Sequence, residues 1–288
     1  MTETNKEILK NIYKPRPQDS KKYDFGLLLV IGGSEFYSGS PALSSMAAFR
    51  AGVDMVRIIA PKRAADIIAS FSPNLAAYPL DGSWLERKHL ATLIAMTESA
   101  KAVARGNTAV VIGGGMGRSE EVQEAILEYL SQVQVPVVID ADAIHAVAKK
   151  PEIIAGKNFL ITPHTYEFFV LTGKEVYQLS DEEKIKLVHA EAQRLQTTIL
   201  LKGKLDIISN GKEVVVDKVG TPYMTVGGCG DTLAGICGAL MARSINTFEA
   251  AQAAAFINGR AGEIAAKKLG ESMTATDLIE AIPEAIRL

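Results

Sequence analysis

Cysteine is scarce in this chain: Cys229 and Cys237 are the only two among 288 residues. They fall about two helical turns apart on one expected helix, roughly 12 Å, which is too far for a disulfide. Two lone thiols also cannot complete a zinc site. A reducing cytoplasm is the expected compartment. An excess of charge of either sign is missing as well. The 31 Lys and Arg nearly balance 33 Asp and Glu, for a formal net charge of −2. No basic block stands out, so the footprint of a nucleic-acid binder is absent, and an anionic ligand would have to be held by local donors. Long apolar runs are lacking too: stretches such as Thr232–Ala242 are short and closed by Arg243, so no helical membrane span is expected. Residues 1–20 are polar, contain Pro15 and Pro17, and have no signal-peptide core. Neither a Walker-type Gly-x-x-x-x-Gly-Lys-Ser/Thr sequence nor a Gly-x-Ser-x-Gly nucleophile elbow occurs. No cluster of His, Cys, Asp and Glu has transition-metal spacing.

What is present is ordinary for an enzyme-sized chain, 48% hydrophobic and 22% charged, with length enough for a sizeable core. With no internal repeat or low-complexity linker, one domain over residues 1–288 is expected, its residues 1–22 a polar leader. Phe25–Ile31 is a continuous apolar run ending in Gly32-Gly33, the pattern of a strand buried on both faces of a parallel sheet. Pro41 opens a helix that stops near Gly52. Val53–Ala60, Ala109–Ile112, Pro136–Ile139, Phe159–Ile161 and Thr198–Leu201 read as further strands. Helices over Trp84–Val103, Glu120–Val133 and Asp181–Leu195 fall between them. Asp206–Ser209 and Glu213–Val216 flank Asn210-Gly211, a hairpin signal because both residues tolerate positive φ. Two Ala-rich helices and a final helix complete the chain. This alternation predicts an α/β fold, a mostly parallel central sheet flanked by helices on both faces with a late β-hairpin at one edge. The ligand crevice should lie beyond the strand carboxyl ends.

One stretch carries the most chemistry: Thr225-Val226-Gly227-Gly228-Cys229-Gly230-Asp231-Thr232-Leu233-Ala234-Gly235. Glycines before an apolar helical run form an anion nest at a helix N-terminus, with Gly227, Gly228, Cys229 and Gly230 supplying amides. Asp231 is out of place there. A carboxylate beside a phosphate repels it unless it has a task, such as taking a proton from an attacking hydroxyl; the alternative task is to cap the helix. Gly113–Gly117 invites a dinucleotide fingerprint, but Arg118 stands where the third glycine belongs, leaving a tight turn that can line a ligand. Lys202 ends a strand, where it can neutralise a phosphate or simply be solvated. His164 can donate to a substrate or cap a turn. Glu167, Asp140 and Asp142 are candidates to orient a water or a magnesium ion, or are surface acids.

Taken in order, Gly32-Gly33, Tyr37-Ser38-Gly39-Ser40-Pro41, Ile112-Gly113-Gly114-Gly115-Met116-Gly117, Asp140-Ala141-Asp142, Thr162-Pro163-His164, Glu167-Phe168, Leu201-Lys202-Gly203 and Met224–Gly235 form a specific set. In it the chain, from about Tyr23 onward, resembles the ADP/ATP-dependent NAD(P)H-hydrate dehydratases of the ribokinase-like superfamily. The resemblance implies an enzyme that uses a nucleotide, ADP or ATP, to phosphorylate the ring hydroxyl of hydrated NADH or NADPH and then expels phosphate. It assigns Asp231 as catalytic base and Ser40, Gly115, His164 and Asp231 to the hydrate. Lys202, Gly203, Lys204, Leu205 and Asp206, with Gly230, are assigned to the nucleotide. It implies Mg2+ arriving on the phosphates without a dedicated protein cage, and a homo-oligomer of four or more copies. Four positions depart from the family pattern: Ser40 replaces Ala, Gly114 replaces Pro, Tyr166 replaces Gly, and Cys229 replaces Thr or Ser. The companion epimerase domain of some members is not expected, the leader being too short for one. Two alternatives stay open: a vitamin-precursor kinase of the same fold, and a nucleotide-sensing module without turnover.

Overall fold

A computed structural model describes residues 2–287. The chain runs β1 (Thr2–Glu3), α1 (Glu7–Ile12), β2 (Leu27–Ile31), α2 (Gly39–Arg50), β3 (Met55–Pro61), α3 (Lys62–Phe71), β4 (Ala76–Leu80) and α4 (Leu90–Val103). It continues through β5 (Thr108–Ile112), α5 (Glu120–Gln132), β6 (Val137–Ile139), α6 (Asp142–Lys149), β7 (Phe159–Ile161), α7 (Thr165–Thr172) and α8 (Asp181–Leu195). The last elements are β8 (Thr198–Leu201), β9 (Asp206–Ser209), β10 (Val214–Asp217), α9 (Cys229–Ala242), α10 (Thr247–Leu269) and α11 (Ala275–Ala285).

The strands form one sheet in the order β1-β10-β9-β8-β7-β6-β5-β2-β3-β4. From β8 to β4 every pairing is parallel. β9 is antiparallel to both β8 and β10, making the expected hairpin. The apolar strand runs are continuous because both sheet faces are covered. Pleating sends Leu28, Val30, Val111 and Leu200 into one core with α2, α9, α10 and α11, and Leu27, Leu29, Ile31 and Val110 into another with α4 to α8. Strand order reverses between β5 and β2, so the loops after these two strands part and leave a crevice.

Three features differ from expectation. Part of the polar leader is built into the fold: β1 pairs with β10, the Thr4 hydroxyl donates to Asp217, and Leu9 and Ile12 are buried. The hairpin is therefore not the sheet's edge. Its turn relies on the Asn210 side chain, which accepts the Lys212 and Glu213 amides at 2.9 and 2.8 Å, while only Gly211 takes positive φ. Strand β4 has no sequence signal, because Pro79 disqualifies Ala76–Leu80 from a sheet interior; it is the opposite edge, where proline is tolerated.

Candidate active site

Helix α9 begins at Cys229, three residues before the apolar run, so Asp231 lies inside its first turn. Gly228 is the N-cap at φ +102°, a conformation that disfavours any side chain. The helical ladder opens with the Thr232 amide on the Gly228 carbonyl at 3.0 Å, which leaves the amides of Cys229, Gly230 and Asp231 available to an anion. Packing aims this turn. A Cβ on Gly235 would stand 2.1 Å from the Ser44 carbonyl oxygen, so glycine there lets α9 close onto α2. The Ser44 hydroxyl then donates to the Asp231 carbonyl at 2.9 Å. From α10, buried Asn258 accepts the Thr232 hydroxyl at 2.7 Å and donates to the Cys229 carbonyl at 3.2 Å.

The Asp231 carboxyl points toward Ser40 and the loop after β5: its Oδ1 is 3.1 Å from where a Cβ on Gly114 would stand, and the Ser40 Cβ is 2.7 Å from that point. Burial first, and then the Asp140 charge, push its pKa up to about 6, against the pull of the Ser40 hydroxyl and Lys202; Glu167 adds to the rise. A carboxylate of that strength is mostly ionised at neutral pH yet more basic than an ordinary aspartate, which suits a general base. It is not a helix cap.

Across from it, Lys202 is largely but not fully covered, its side chain 18% exposed. Its Nζ donates to Asp140 Oδ1 at 2.8 Å and lies 3.8 Å from Glu167 Oε2. Burial alone would lower the lysine's pKa, but the two carboxylates outweigh it and hold the ammonium charged. The Nζ is 3.4 Å from where a Cβ on Gly230 would stand, so a fixed positive charge sits against the amide nest. Asp140 also accepts the Thr162 hydroxyl at 2.8 Å. Glu167, pushed up by burial, accepts the His164 amide at 2.9 Å.

Asp140 and Asp142 were candidates for one shared task, but the backbone separates them. Ala141 between them takes φ +48° and ψ −121°, a conformation that costs on the order of 1–3 kcal/mol. Asp140 thereby faces Lys202, while Asp142 turns to the Gly117 amide at 2.9 Å and Arg118 Nε at 2.7 Å. His164 takes the capping role: its Nδ1 accepts the Tyr166 and Glu167 amides at 3.1 and 3.3 Å, closing a capping box on α7. Burial holds its pKa low, so the ring is neutral; Nε2 is 3.3 Å from Glu167 Oε1 and carries the hydrogen.

Asp231, Ser40, Lys202, Gly230 and His164 thus gather around one crevice, with Gly115 adjoining through Gly114. The stretch Gly203–Asp206 is its outer rim: Gly203 and Lys204 are exposed, and the Asp206 side chain accepts the Gly203 amide at 2.8 Å. Burial raises the Asp206 pKa to about 7. Gly227 is exposed, while the Cys229 thiol is buried and pushed up to about 11, hence neutral. Sequence reasoning undervalued Lys202, whose partner Asp140 is 62 positions away, and missed Ser44 and Asn258. Only Asn258 had a signal, an amide in an Ala-rich helix.

No group of three or more His, Cys, Asp or Glu side chains suited to a metal occurs among the described residues. The donor set fits a phosphate-borne Mg2+, which keeps most of its waters and needs one or two carboxylates; Asp140 and Glu167, beside Lys202, would serve.

Comparison with known proteins fits this geometry. The family profile described as NAD(P)H-hydrate dehydratase matches residues 28–284. The chain belongs to this family. A bifunctional NAD(P)H-hydrate repair enzyme of Pyrobaculum aerophilum is 44% identical over 274 residues, 94% of this chain and 52% of that enzyme. The chain spans about half the length of the first curated relatives it matches. It covers 93% of an ADP-dependent (S)-NAD(P)H-hydrate dehydratase of Nitrosopumilus maritimus, at 38% identity over 96% of this chain. Among solved structures, a ribokinase-like superfamily protein of Enterococcus faecalis superposes with a TM-score of 0.85 at 24% identity, over 99% of this chain and 95% of that one. The Bacillus subtilis ADP/ATP-dependent NAD(P)H-hydrate dehydratase, co-crystallised with ATP and Mg2+, gives 0.78 at 23% identity, over 99% and 97%. The chain thus shares the fold of a ribokinase-like protein, as expected from the motifs. Among the described residues no helix is long and apolar enough to cross a membrane.

Proposed function

We propose that this chain, as one catalytic domain, dehydrates hydrated NADH and NADPH with ADP as phosphoryl donor, giving NAD(P)H, AMP and phosphate. The observation that carries the reading is the Asp231 carboxyl, raised to about 6 by burial and set within the amide-rich first turn of α9 against Ser40. An aspartate that only capped a helix would gain nothing from such basicity.

In this reading Ser40, Gly115 and His164 border the hydrate, whose ring hydroxyl lies at Asp231. Asp231 takes the hydroxyl proton as the oxygen attacks the terminal phosphorus of the nucleotide and the bond to AMP breaks. The amides of Gly227–Gly230 and the Lys202 ammonium stabilise the transferring group where its charge develops. The C–O bond then breaks, phosphate leaves with the oxygen, and the adjacent ring carbon loses a proton to restore the double bond. Residues 202–206 and Gly230 hold the nucleotide. Bound Mg2+ would supply charge neutralisation on the phosphates.

Incubating the protein with hydrated NADH, ADP and Mg2+ tests this: recovery of reduced-nicotinamide absorbance with one AMP released per turnover is expected. A stable phosphoester would instead make the chain a small-molecule kinase. ADP binding without turnover of any acceptor, by the wild type and Asp231→Asn alike, would make it a sensor. Running ATP and hydrated NADPH in parallel ranks the donors and acceptors. Two buried free thiols support a reducing, cytoplasmic setting. The exposed, adjacent rings of Tyr166 and Phe169 offer a contact surface for self-assembly; light scattering would test the four or more copies that the family resemblance implies.

A further inference from the structure

A cleft of about 300 Å³ opens beside the candidate site, lined by Ser34, Phe36, Tyr37, Trp84, Gly115, Gly117 and Asp142. Its walls come from the segments following β2, β4, β5 and β6. The Tyr37 ring lies against Gly115, where a Cβ would meet it at 2.7 Å, and the Trp84 ring lies against Gly117, again at 2.7 Å. Phe36 adds a third ring and is 86% exposed, a large cost for a phenylalanine with nothing to cover. The one carboxylate, Asp142, is already satisfied by Arg118 and the Gly117 amide. The cleft therefore presents aromatic faces and edges without a free negative charge, the chemistry that takes a flat heteroaromatic base.

Resting on the dehydratase reading, we propose that this cleft is the subsite for the adenine of the dinucleotide acceptor. The reacting ring cannot fill it, because its hydroxyl must reach Asp231 and hydration has removed its planarity. The donor's base is excluded by position. Residues 202–206 follow β8, three strand steps from β5, roughly 14 Å at about 4.8 Å each, and the cleft extends beyond β5 toward β4. Asp140, after β6, lies between the two. Gly114, next to Gly115, abuts both Ser40 and Asp231, so an acceptor that reacts at Asp231 leads directly into the cleft.

Trp84 is the chain's single tryptophan, so its fluorescence reports this cleft alone. With ADP saturating to fill the donor site, ADP-ribose should quench Trp84 emission saturably and nicotinamide mononucleotide should not; absence of quenching by ADP-ribose overturns the assignment. In turnover, Trp84→Ala should raise KM for hydrated NADH about ten- to a hundred-fold, equivalent to about 1.4–2.8 kcal/mol and the range of one base on one aromatic ring. Its kcat should be retained. KM for hydrated reduced nicotinamide mononucleotide, which lacks adenine, should not move, and Trp84→Phe should restore the dinucleotide value. Equal losses on both substrates, or none on either, overturn the proposal. A wild-type protein that converts neither hydrate sinks the dehydratase reading instead, and the titration still decides what the cleft binds.

Discussion

Asp231→Asn should stabilise the protein while abolishing its turnover. An ordinary aspartate ionises near 3.8, and Asp231 in the fold near 6. Below pH 4 the carboxyl is neutral in both folded and unfolded chains. Between 4 and 6 the unfolded chain ionises while the folded one keeps its proton, so rising pH erodes stability; above 6 the full penalty applies. The gap corresponds to about 3 kcal/mol at ~1.36 kcal/mol per pH unit. Asparagine matches the carboxyl in shape and carries no charge, so the substitution relieves most of that penalty at pH 7.5. For a chain of this size that is an upward shift in Tm of roughly 6 °C, at ~2 °C per kcal/mol. Thermal unfolding of both proteins at pH 7.5 and pH 3.5 reads it: a gain at the higher pH that vanishes at the lower. The same variant should lose turnover by roughly 10²–10⁴-fold, the usual contribution of a general base, with ADP affinity largely intact. An unchanged or lowered Tm at pH 7.5, or a gain of equal size at pH 3.5, would refute the claim that the Asp231 charge is held at a cost for catalysis.

Three further outcomes follow from the same geometry. The acid limb of kcat/KM should have its midpoint near pH 6, where Asp231 takes up its proton; a limb near pH 4 would show a base outside this buried cluster. Lys202→Met leaves Asp140 and Glu167 facing each other without their shared cation and should cost on the order of 3–5 kcal/mol at neutral pH. Urea titration should show that loss shrinking in acid as Glu167, raised by burial, takes up its proton, and calorimetry a fall in ADP affinity. Gly228→Ala forces a side chain onto φ +102° and within 2.7–2.8 Å of Leu43 and Ala275. It should lower stability by more than about 1 kcal/mol and weaken ADP binding; an unaffected isotherm would separate the anion nest from the nucleotide.

Much of the architecture was legible in the chain because its signals are local. Continuous apolar runs such as Phe25–Ile31 mark strands covered on both faces, and glycines after strand ends mark where loops pass a ligand. The Thr225–Gly235 stretch announced a helix N-terminus with an acid in it. Whether that acid was a cap or a base was not legible. Capping is decided within one turn of helix, but basicity depends on burial by α2 and on charges brought from β6 and α7. Lys202 shows the same limit: alone at a strand end it reads as solvated, and only parallel strand order carries Asp140 to it across 62 residues. Asp140 and Asp142 looked like a pair, and the turn at Ala141 set them to different partners. The leader's polar composition concealed Leu9 and Ile12, whose burial depends on α10 being there to receive them. Spacing along the chain, in short, determined the elements and the kinds of groups at their ends. Only the folded sheet decided which of those groups share a low-dielectric crevice, because burial and charge proximity are properties of the assembled layers rather than of any segment.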